Sequence, residues 1–344
     1  MKKVTLSMPV FNVERTVRAS LLSALEQTYE DIEYLIVDDC SPDSSFAVVE
    51  KIANEHPRGK NVRIIRHPIN KGTGEARNTA VREATGEYIF FMDSDDLIDP
   101  DCIEKLVRYM EETPVDFVAA SRVRQTADGK VLSEDVYEPA IVKDGDMAVA
   151  RFRYVQNHRI FVEIWNKLYR LDFLRSAHVE CLPNNRVEDV SFTYQAVMAA
   201  RSCRLVPDKT YKYIIHDGQS LSPFMRDRAR ALNLSDCFCQ IREKDLNVVQ
   251  QYRKHKDYNA FLTGVFSVSY LHARILFASP MLTRKEKRNC LKKLLDNGLK
   301  HYDWLHMHSA KQFFLLALSY MPWWIRRIYF SNTVKYIGDY EEVE

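Results

Sequence analysis

The chain has 344 residues, of which 46% are hydrophobic and 28% charged, so it can bury a substantial core and is not an intrinsically disordered protein. The formal net charge is only +2, so no global excess of positive charge indicates a nucleic-acid-binding protein. Seven cysteines without a CxxC pair indicate neither a disulfide framework nor a zinc site, and we expect a reducing, cytoplasmic location.

Four predicted strands alternate with helices in the N-terminal part of the chain. The strands are short apolar runs, predicted at residues 4–8, 33–37, 62–66 and 88–92. The helices carry apolar side chains at helical spacing and are predicted at residues 13–27, 46–53, 74–84 and 103–112. This alternation predicts an α/β fold built on a mostly parallel sheet with helices on both faces.

The pattern becomes less regular after Gly129. Helices are predicted at residues 145–157 and 190–200, and strands at residues 203–206 and 211–216. An apolar and aromatic stretch at residues 164–170 lies between the two predicted helices.

The last third of the chain is almost entirely helical. We therefore place a domain boundary near residue 225, which separates an α/β domain at residues 1–225 from a helical C-terminal region at residues 226–344. One helix in this region has a capping box formed by Thr283 and Glu286, and Gly298 is predicted to end it.

Three carboxylates, those of Asp93, Asp95 and Asp96, fall within four residues directly after an apolar strand. Like charges at this density repel one another unless a cation lies among them. Oxygen ligands at a phosphate site suit Mg²⁺ or Mn²⁺, which would clamp a diphosphate and neutralise its charge as it leaves. The alternative is a loop whose aspartates cap the next helix.

Asp38 and Asp39 follow the second predicted strand, and Phe11 follows the first, so these residues open on the edge of the sheet where α/β proteins bind ligands. A carboxylate at this edge could accept a hydrogen bond from the imino N–H of a pyrimidine or from ribose hydroxyls. Phe11 could offer a ring face for stacking with a base. The alternatives are aspartates that serve only a turn and a phenylalanine that belongs to the core.

The run Asn70-Lys71-Gly72 leads into Gly74 and then Arg77 at the start of a predicted helix. Glycines let a backbone approach a ligand closely, and a helix N-terminus favours phosphate. Lys71 and Arg77 add positive charge. The alternative is a plain turn followed by a surface arginine, since the run matches neither the GxGxxG fingerprint nor a Walker loop.

Glu188 and Asp189 open the helix predicted at residues 190–200. Acidic residues favour a helix N-terminus, so the simpler interpretation is capping. The functional interpretation makes one of them a general base for an acceptor hydroxyl.

Together these residues resemble the family 2 glycosyltransferases of the GT-A fold, over roughly residues 2–222. The segments that carry the resemblance, in matching order and spacing, are residues 7–12, 37–43, 70–72, 76–78, 91–96, 165–169 and 188–189. The resemblance implies a Rossmann-like GT-A sheet and inversion at the anomeric carbon. It also implies a nucleotide-diphosphate sugar donor, for which a UDP-sugar is the first expectation.

The resemblance also implies roles for single residues. Asp39 is similar to the acid that binds uracil, and Phe11 stands where a tyrosine is usual, which keeps stacking and loses a hydroxyl. Asp93 corresponds to the contact with ribose or sugar. Cys40 replaces the glycine usual in this turn, which affects the loop conformation. The residues predicted to bind the donor are Pro9, Phe11, Asn12, Asp38, Asp39, Lys71, Gly72, Arg77, Asp93, Ser94 and His216.

The implied mechanism is a direct displacement with the base and the leaving diphosphate on opposite faces of the sugar. Asp189 corresponds to the base that deprotonates the acceptor, with Glu188 supporting it. A divalent metal on Asp95 and Asp93 would stabilise the leaving nucleotide, and His216 is similar to a position that reaches the diphosphate or the metal. The expected acceptor is a glycan or lipid-linked glycan in cell-surface polysaccharide synthesis.

No apolar stretch reaches the roughly 18 residues needed to span a bilayer, and we expect a cytoplasmic protein. Residues 310–327 combine tryptophans with arginines, which could form a peripheral contact with the inner face of the cell membrane. The alternative for this segment is packing on the catalytic domain or in a homodimer.

Two other functions compete with glycosyl transfer. A sugar nucleotidyltransferase would carry a glycine-rich, basic loop after the first strand, but residues 9–12 contain neither glycine nor a basic residue. A catalytically inactive carbohydrate-binding or scaffold protein would have no physical reason to keep the clustered carboxylates. A nicotinamide dehydrogenase is disfavoured because the glycine fingerprint is absent.

Overall fold

The computed structural model describes residues 1–183, 187–216 and 227–295, and the single positions 301, 314, 317, 321, 322, 325, 326 and 329. The chain divides into two compact units. The first contains Met1–Ala150 and Arg159–His216, and the second contains Arg151–His158 and Asp217–Glu344. The boundary predicted near residue 225, Gly298, and most of the segment 310–327 lie outside the described residues.

A single ten-stranded sheet organises the first unit. Its strands are β1 Val4–Val10, β2 Ile32–Asp38, β3 Val62–Arg66, β4 Tyr88–Phe91, β5 Leu97–Ile98, β6 Phe117–Thr126, β7 Val131–Asp135, β8 Ala140–Val142, β9 Lys167–Arg170 and β10 Cys203–Ile215. The strand order is β3-β2-β1-β4-β9-β6-β10-β5, with β7 added beside β6 and β8 beside β10.

The sheet is mixed, with a parallel core. β3, β2, β1 and β4 are parallel neighbours, and β6 and β10 form a further parallel pair. β9 runs antiparallel between β4 and β6, and this places β6 and β10 in the same direction as the first four strands. The predicted α/β class is confirmed. The antiparallel strands are β5, β7, β8 and β9, and the sequence pattern did not predict them as strands.

Helices cover both faces of the sheet. They are α1 Val17–Leu25, α2 Ser45–Glu55, α3 Thr73–Glu83, α4 Cys102–Glu112, α5 Ala148–Tyr154, α6 Leu171–Ser176 and α7 Glu188–Ala199. α1, α2 and α4 bury apolar side chains in one cluster with alternate residues of β1, such as Leu6 and Met8. On the other face, Phe91 of β4 contacts the rings of Tyr169 and Phe192, the latter from α7. Because both faces of the sheet are covered, every residue of β1 and β2 is buried, including the polar side chains of Thr5, Ser7 and Glu33.

Two features of the sheet differ from the sequence-based expectation. The strands predicted at residues 203–206 and 211–216 form one strand, β10, whose register shifts around Pro207 and Asp208. A bulge accommodates a proline that would otherwise end a strand. β6 was not predicted, because polar residues such as Arg122 interrupt its apolar run. Arg122 is nevertheless buried, since it forms ion pairs with Asp135 and Glu163.

The described part of the second unit is helical. It contains α8 Arg228–Gln250, α9 Tyr258–Ala278 and α10 Arg284–Leu295, together with the segment Arg151–His158. Arg151 forms an ion pair with Asp257 at 2.8 Å, at the start of α9. The predicted capping box is confirmed, because Glu286 accepts hydrogen bonds from the backbone N–H and the hydroxyl of Thr283 at 2.8 and 2.7 Å.

By length and composition alone, α9 is apolar enough to cross a membrane. Its most apolar 18-residue window has a mean hydropathy of 1.4, and half of that window is buried inside the protein. A buried core helix has the same properties. The expectation that no stretch reaches spanning length therefore overlooked α9, in which polar residues are spread through a mostly apolar sequence.

Candidate active site

The carboxyl ends of β1, β2 and β4 meet at one edge of the sheet. Val10, the last residue of β1, lies beside Asp38, and its carbonyl oxygen accepts a hydrogen bond from the N–H of Asp39 at 2.9 Å. β4 lies on the other side of β1 and leads into Asp93. Parallel strands thus bring sequence-distant polar residues to one edge, where ligands bind in α/β sheets.

Asp39 is almost fully buried, and nitrogen atoms of three residues lie within hydrogen-bond distance of its carboxylate. Its two carboxylate oxygens accept hydrogen bonds from the backbone N–H groups of Lys71, at 2.9 and 3.1 Å, and Gly72, at 2.7 Å. The Nδ1 of His67 lies 2.6 Å from Asp39 Oδ1, and its Nε2 lies 3.0 Å from the hydroxyl of Thr79 on α3. We call Asp39, His67, Lys71 and Gly72 the Asp39 group.

The Asp39 group explains part of the glycine pattern. Gly72 has a φ of +86°, in the left-handed region that favours glycine, so its N–H can turn toward Asp39. Sequence reasoning missed His67, since a lone histidine at a strand end carries no spacing signal. The one available hint was that this histidine directly follows β3 at the same sheet edge.

Asp38 lies next to Asp39 but has different partners. Its side chain is 1% exposed, and Arg66 Nε lies 3.0 Å from its Oδ2. Its Oδ1 accepts a hydrogen bond from the N–H of Ser41 at 3.3 Å. Arg66 also stacks over the Phe46 ring. Through these contacts with Arg66 and Ser41, the buried Asp38 side chain fixes the loop after β2.

The loop after β1 presents an exposed aromatic ring. Phe11 is 43% exposed, whereas Pro9 is buried in β1. Asn12 has a φ of +56°, which asparagine tolerates better than most residues. The backbone N–H of Glu14 donates to Asp43 Oδ2 at 3.0 Å, which ties this loop to the start of α2. A fixed loop with a free ring face suits stacking against a planar ligand.

Arg77 gathers three carboxylates from different parts of the chain. Its Nη1 donates to Glu188 Oε1 and Asp189 Oδ1, and its Nη2 donates to Asp93 Oδ1, each at 2.6 Å. The Arg77 side chain is 2% exposed, so the alternative of a surface arginine is wrong. We call Arg77, Asp93, Glu188 and Asp189 the Arg77 group.

Burial and the close approach of opposite charges shift the pKa values of Arg77, Glu188 and Asp189. Burial lowers the pKa of Arg77, but the carboxylates of Asp189, Asp93 and Glu188 raise it well above its ordinary value. Burial raises the pKa of Asp189 to about 7, against the opposing effect of Arg77. Burial likewise raises the pKa of Glu188, with Arg77 again opposing. Asp189 is 26% exposed, so it remains accessible to a ligand.

Close packing positions the first turn of α7 against α3. A Cβ added at Gly74 would lie 2.6 Å from the carbonyl oxygen of Leu182 and 3.5 Å from the Cβ of Glu188. Asn78 exchanges two hydrogen bonds with the backbone of Cys181. Gly74 thus permits the approach that lets Arg77 reach Glu188 and Asp189.

Asp93, Asp95 and Asp96 form a cluster that could hold a metal ion, with one ligand oxygen of each lying within 4.8 Å of the others. Asp96 is fully buried and accepts hydrogen bonds from the hydroxyl of Tyr211 and the N–H of Ile214, both at 2.8 Å. Burial, and then Asp95 and Asp93, raise the pKa of Asp96 well above its ordinary value. Asp93 and Asp95 are partly exposed, so they are the members that face a ligand, while Asp96 fixes the turn.

Tyr211 is a second residue that sequence reasoning did not single out. Its hydroxyl accepts a hydrogen bond from the N–H of Asp93 at 3.1 Å while donating to Asp96. Its ring stacks on Trp165, with ring centroids 4.3 Å apart. Trp165 belongs to the aromatic stretch that precedes β9, which gives this stretch a structural role beneath the acidic cluster.

The remaining predicted site residues lie close to the same cluster. Ser94 is buried between Asp93 and Asp95. The Nε2 of His216 lies 3.2 Å from the backbone carbonyl oxygen of Asp95, so the end of β10 reaches the acidic turn. A separate surface cavity lies at the opposite edge of the sheet, lined by Lys2, Glu87 and Arg170 among others, and includes none of the predicted site residues.

Comparisons with known proteins agree with this geometry. Residues 5–162 match the sequence family described as glycosyl transferase family 2. A Bacillus subtilis (strain 168) protein named as a glycosyltransferase, EpsH, is 30% identical over 261 residues, which cover 74% of this chain and 73% of that protein. The chain belongs to glycosyltransferase family 2. It is therefore a glycosyltransferase enzyme.

Solved structures show that this family 2 glycosyltransferase has the GT-A fold. The crystal structure of Staphylococcus aureus TarS residues 1–349 matches with a TM-score of 0.67 at 21% identity, covering 99% of this chain and 92% of that one. A TarS complex with UDP-GlcNAc matches with a TM-score of 0.58 at 18% identity, covering 87% and 93%. The Pyrobaculum calidifontis mannosyltransferase PcManGT, in complex with GDP-Man and Mn²⁺, matches with a TM-score of 0.51 at 16% identity, covering 92% and 85%.

Proposed function

We propose that this protein is an inverting glycosyltransferase that moves a sugar from a nucleotide-diphosphate donor, a UDP-sugar, to a hydroxyl of a glycan or lipid-linked glycan in cell-surface polysaccharide synthesis. The observation that carries the proposal is the Arg77 group. One guanidinium connects Asp93, beside the acidic turn, to Asp189, on α7. A donor site and a base for the acceptor are thus linked by one side chain.

The donor nucleotide is proposed to bind across the loops after β1, β2 and β3. The exposed ring of Phe11 stacks on the base, and Asp39 accepts a hydrogen bond from a base N–H. A carboxylate offers about four acceptor positions, and three N–H groups already use Asp39, which leaves room for one more donor. Two solved GT-A neighbours were studied with nucleotide sugars, which supports this class of donor.

The donor set of the acidic turn fits a divalent metal. Carboxylate oxygens are the ligands that Mg²⁺ and Mn²⁺ prefer, and Asp93 and Asp95 would hold the ion. When bound, such an ion neutralises charge on a leaving diphosphate. The chain itself contributes the hydrogen bonds from Tyr211 and Ile214 that fix the turn through Asp96.

Asp189 is proposed as the general base. It lies in the first turn of α7, it is partly exposed, and its pKa of about 7 suits proton transfer near neutral pH. Arg77 orients it, and Glu188 shares the same Nη1 and supports the orientation. Asp189 takes the proton of the acceptor hydroxyl, and the acceptor oxygen bonds to the anomeric carbon. The bond from that carbon to the nucleotide diphosphate breaks on the opposite face, which gives inversion.

The test is calorimetric titration of UDP, GDP and CMP, each with and without Mn²⁺, against the wild type, Asp95→Ala and a matched control, Asp101→Ala. The Asp101 side chain is 44% exposed and, within the part of the chain that the structure describes, forms an ion pair only with Lys105. We expect Mn²⁺-dependent binding of UDP that is lost in Asp95→Ala and kept in Asp101→Ala. If no nucleotide binds, an inactive carbohydrate-binding scaffold replaces the proposal. If a nucleoside triphosphate and a sugar phosphate are joined instead, the protein is a sugar nucleotidyltransferase.

A further inference from the structure

The two units of the chain carry opposite charge, which the net value of +2 conceals. The second unit, Arg151–His158 with Asp217–Glu344, holds 22 Lys and Arg against 13 Asp and Glu, a net charge of +9. The first unit holds 27 against 34, a net charge of −7, and the two values sum to +2. A charge asymmetry of this kind indicates that the positive part meets an anionic partner.

The positive charge is concentrated on one face of α10. Six of its twelve residues are Lys or Arg, and Glu286 is its one acidic residue. The side chains that the helix buries are Cys290, Leu291, Leu294 and Leu295. Along one border of this buried side, at helical spacing, lie the exposed residues Arg284, Lys285, Arg288 and Lys292, which we call the cationic face.

The cationic face differs from an ordinary solvated helix face, which mixes charges of both signs. Glu286 pairs with Arg228 and accepts from Thr283, and so is not available to the cationic face. Lys293 pairs with Asp236, and Lys287 lies over the Phe277 ring. Within the described part of the chain, by contrast, the four residues of the cationic face form no ion pair.

This arrangement is unfavourable for the isolated helix. Arg284 and Arg288, and likewise Arg288 and Lys292, are like charges four residues apart, which destabilises a helix. Arg284 and Lys285 also lie in the first turn, where the helix dipole disfavours positive charge. An anionic surface laid against the cationic face would remove both costs.

An exposed apolar side chain lies beside the cationic face. Met281, three residues before α10, is 43% exposed, while its neighbour Leu282 is buried. A cationic face next to an exposed apolar side chain suits a lipid surface, where headgroups take the charge and the acyl boundary takes the apolar group. Nucleic acid offers phosphates but no such boundary. We propose that the cationic face of α10 binds an anionic phospholipid surface.

The test is co-sedimentation of the full-length protein with vesicles of phosphatidylcholine alone and of phosphatidylcholine mixed with phosphatidylglycerol. We expect binding only to the anionic vesicles, and weaker binding as salt shortens the screening length from about 10 Å at 0.1 M to about 3 Å at 1 M. Each basic residue near such a surface contributes about 1 kcal/mol, so Lys285→Gln/Arg288→Gln/Lys292→Gln should weaken binding on the order of 100-fold.

The matched control is Lys51→Gln/Lys60→Gln/Lys130→Gln, which removes the same charge from exposed positions of the first unit. It should bind anionic vesicles like the wild type. Circular dichroism and thermal melting identify any variant that fails to fold, without reference to donor binding or catalysis. Met281→Ser is a second probe, and it should weaken vesicle binding while leaving binding to inorganic polyphosphate unchanged.

Three outcomes would overturn the proposal. Binding to anionic vesicles that the α10 variant retains would assign the contact to other residues, with 310–327 the next segment to test. Equal loss of vesicle binding in the α10 variant and the Lys51 control would show that the binding depends on net charge and not on the cationic face. Binding to polyphosphate or DNA without binding to vesicles would make the cationic face a site for a soluble polyanion.

Discussion

The Asp39 group and the Arg77 group lie at the same edge of one sheet and treat their carboxylates in opposite ways. In the Asp39 group, one carboxylate receives N–H donors from Lys71, Gly72 and His67. In the Arg77 group, three carboxylates share one guanidinium. The first arrangement holds one carboxylate in a fixed orientation. In the second, burial raises the pKa of Glu188 and Asp189, which can therefore exchange a proton near neutral pH.

The difference separates recognition from chemistry. A carboxylate that fixed N–H donors hold in one orientation, with one acceptor position left, suits a constant hydrogen bond to a ligand. A carboxylate that competes with two others for one cation is held less firmly in its charged form, so it suits proton transfer. Both groups meet at α3, because Thr79 contacts His67 while Arg77 holds the second group.

The largest expected effect comes from removing the cation of the Arg77 group. Arg77→Met leaves Asp93, Glu188 and Asp189 without a partner in a buried site. Breaking a buried pair in this way costs about 3–5 kcal/mol of unfolding free energy. Glycosyl transfer should also be lost, since the base and the acidic turn are no longer aligned. Urea unfolding and a donor-consumption assay measure the two effects.

Arg82→Met is the matched control, because Arg82 lies on the same helix and pairs with Glu75 at the surface. An exposed pair of this kind contributes about 0–1 kcal/mol, so the control should be close to the wild type. Equal stability of the two variants would mean that Arg77 does not hold the group together.

Removal of the proposed base tests chemistry alone. Asp189→Asn keeps the shape of the side chain and its contact with Arg77 but cannot take a proton. A general base contributes about 10²–10⁴-fold to a rate, so kcat should fall by that factor while UDP affinity stays at the wild-type value. Asp172→Asn, an exposed carboxylate on α6, is the control and should be fully active. Wild-type kcat in Asp189→Asn would remove Asp189 from the mechanism.

The pH dependence follows from the same residue. Burial raises the pKa of Asp189 from its ordinary 3.8 to about 7, with Glu188, Asp93 and Glu163 adding to the rise and Arg77 opposing it. The active form is ionised, so kcat should fall about tenfold per pH unit below this pKa. A kcat that stays flat from neutral to mildly acid pH would contradict the assignment.

The same shift has a consequence for stability with the opposite slope. The folded protein holds this proton more tightly than the unfolded chain does between the ordinary pKa of 3.8 and about 7. The stabilisation from the protonated carboxyl is therefore complete below the lower value and is lost as pH rises through the upper one. Urea unfolding across this range should show a smaller loss for Asp189→Asn than for the wild type.

Much of the fold and most of the candidate site could be predicted from sequence, because they depend on short-range pattern. The strands β1 to β4 are apolar runs, and their polar endings predict one edge. β6 was not predicted, and β10 was predicted as two separate strands. Arg122 is buried only because Asp135 and Glu163 meet it from other elements, and Pro207 is tolerated only because the strand bulges.

The partners of the site residues were harder to predict than the residues themselves. Arg77 was predicted as a donor-binding residue, but its three acidic partners could not be predicted, since they are 16 to 112 residues away in the sequence. His67 and Tyr211 carried no motif at all. Their roles come from the register of the sheet, which places His67 beside Asp39 and Tyr211 beneath Asp96.

The smallest expected effect concerns His67 in the Asp39 group. His67→Ala removes one N–H donor from a buried carboxylate, and a hydrogen bond to a charged group contributes about 1.5–3 kcal/mol. Other donors and relaxation of the loop should limit the loss in UDP affinity to about tenfold, equivalent to about 1.4 kcal/mol. kcat at saturating donor should change little, because the Arg77 group is untouched. Titration calorimetry and steady-state kinetics give the two values.

A purely structural role for His67 would lower kcat and UDP affinity together. Two conservative variants distinguish this structural role from a role in positioning Asp39. The amide nitrogen of His67→Asn can stand in place of Nδ1 and should restore most of the UDP affinity. His67→Gln presents its amide nearer to the position of Nε2, toward Thr79, and should not restore it. Equal UDP affinity of the Asn and Gln variants would show that the contact with His67 does not position Asp39 for binding the nucleotide base. The Asp39 group and the Arg77 group would then differ less than their geometry indicates.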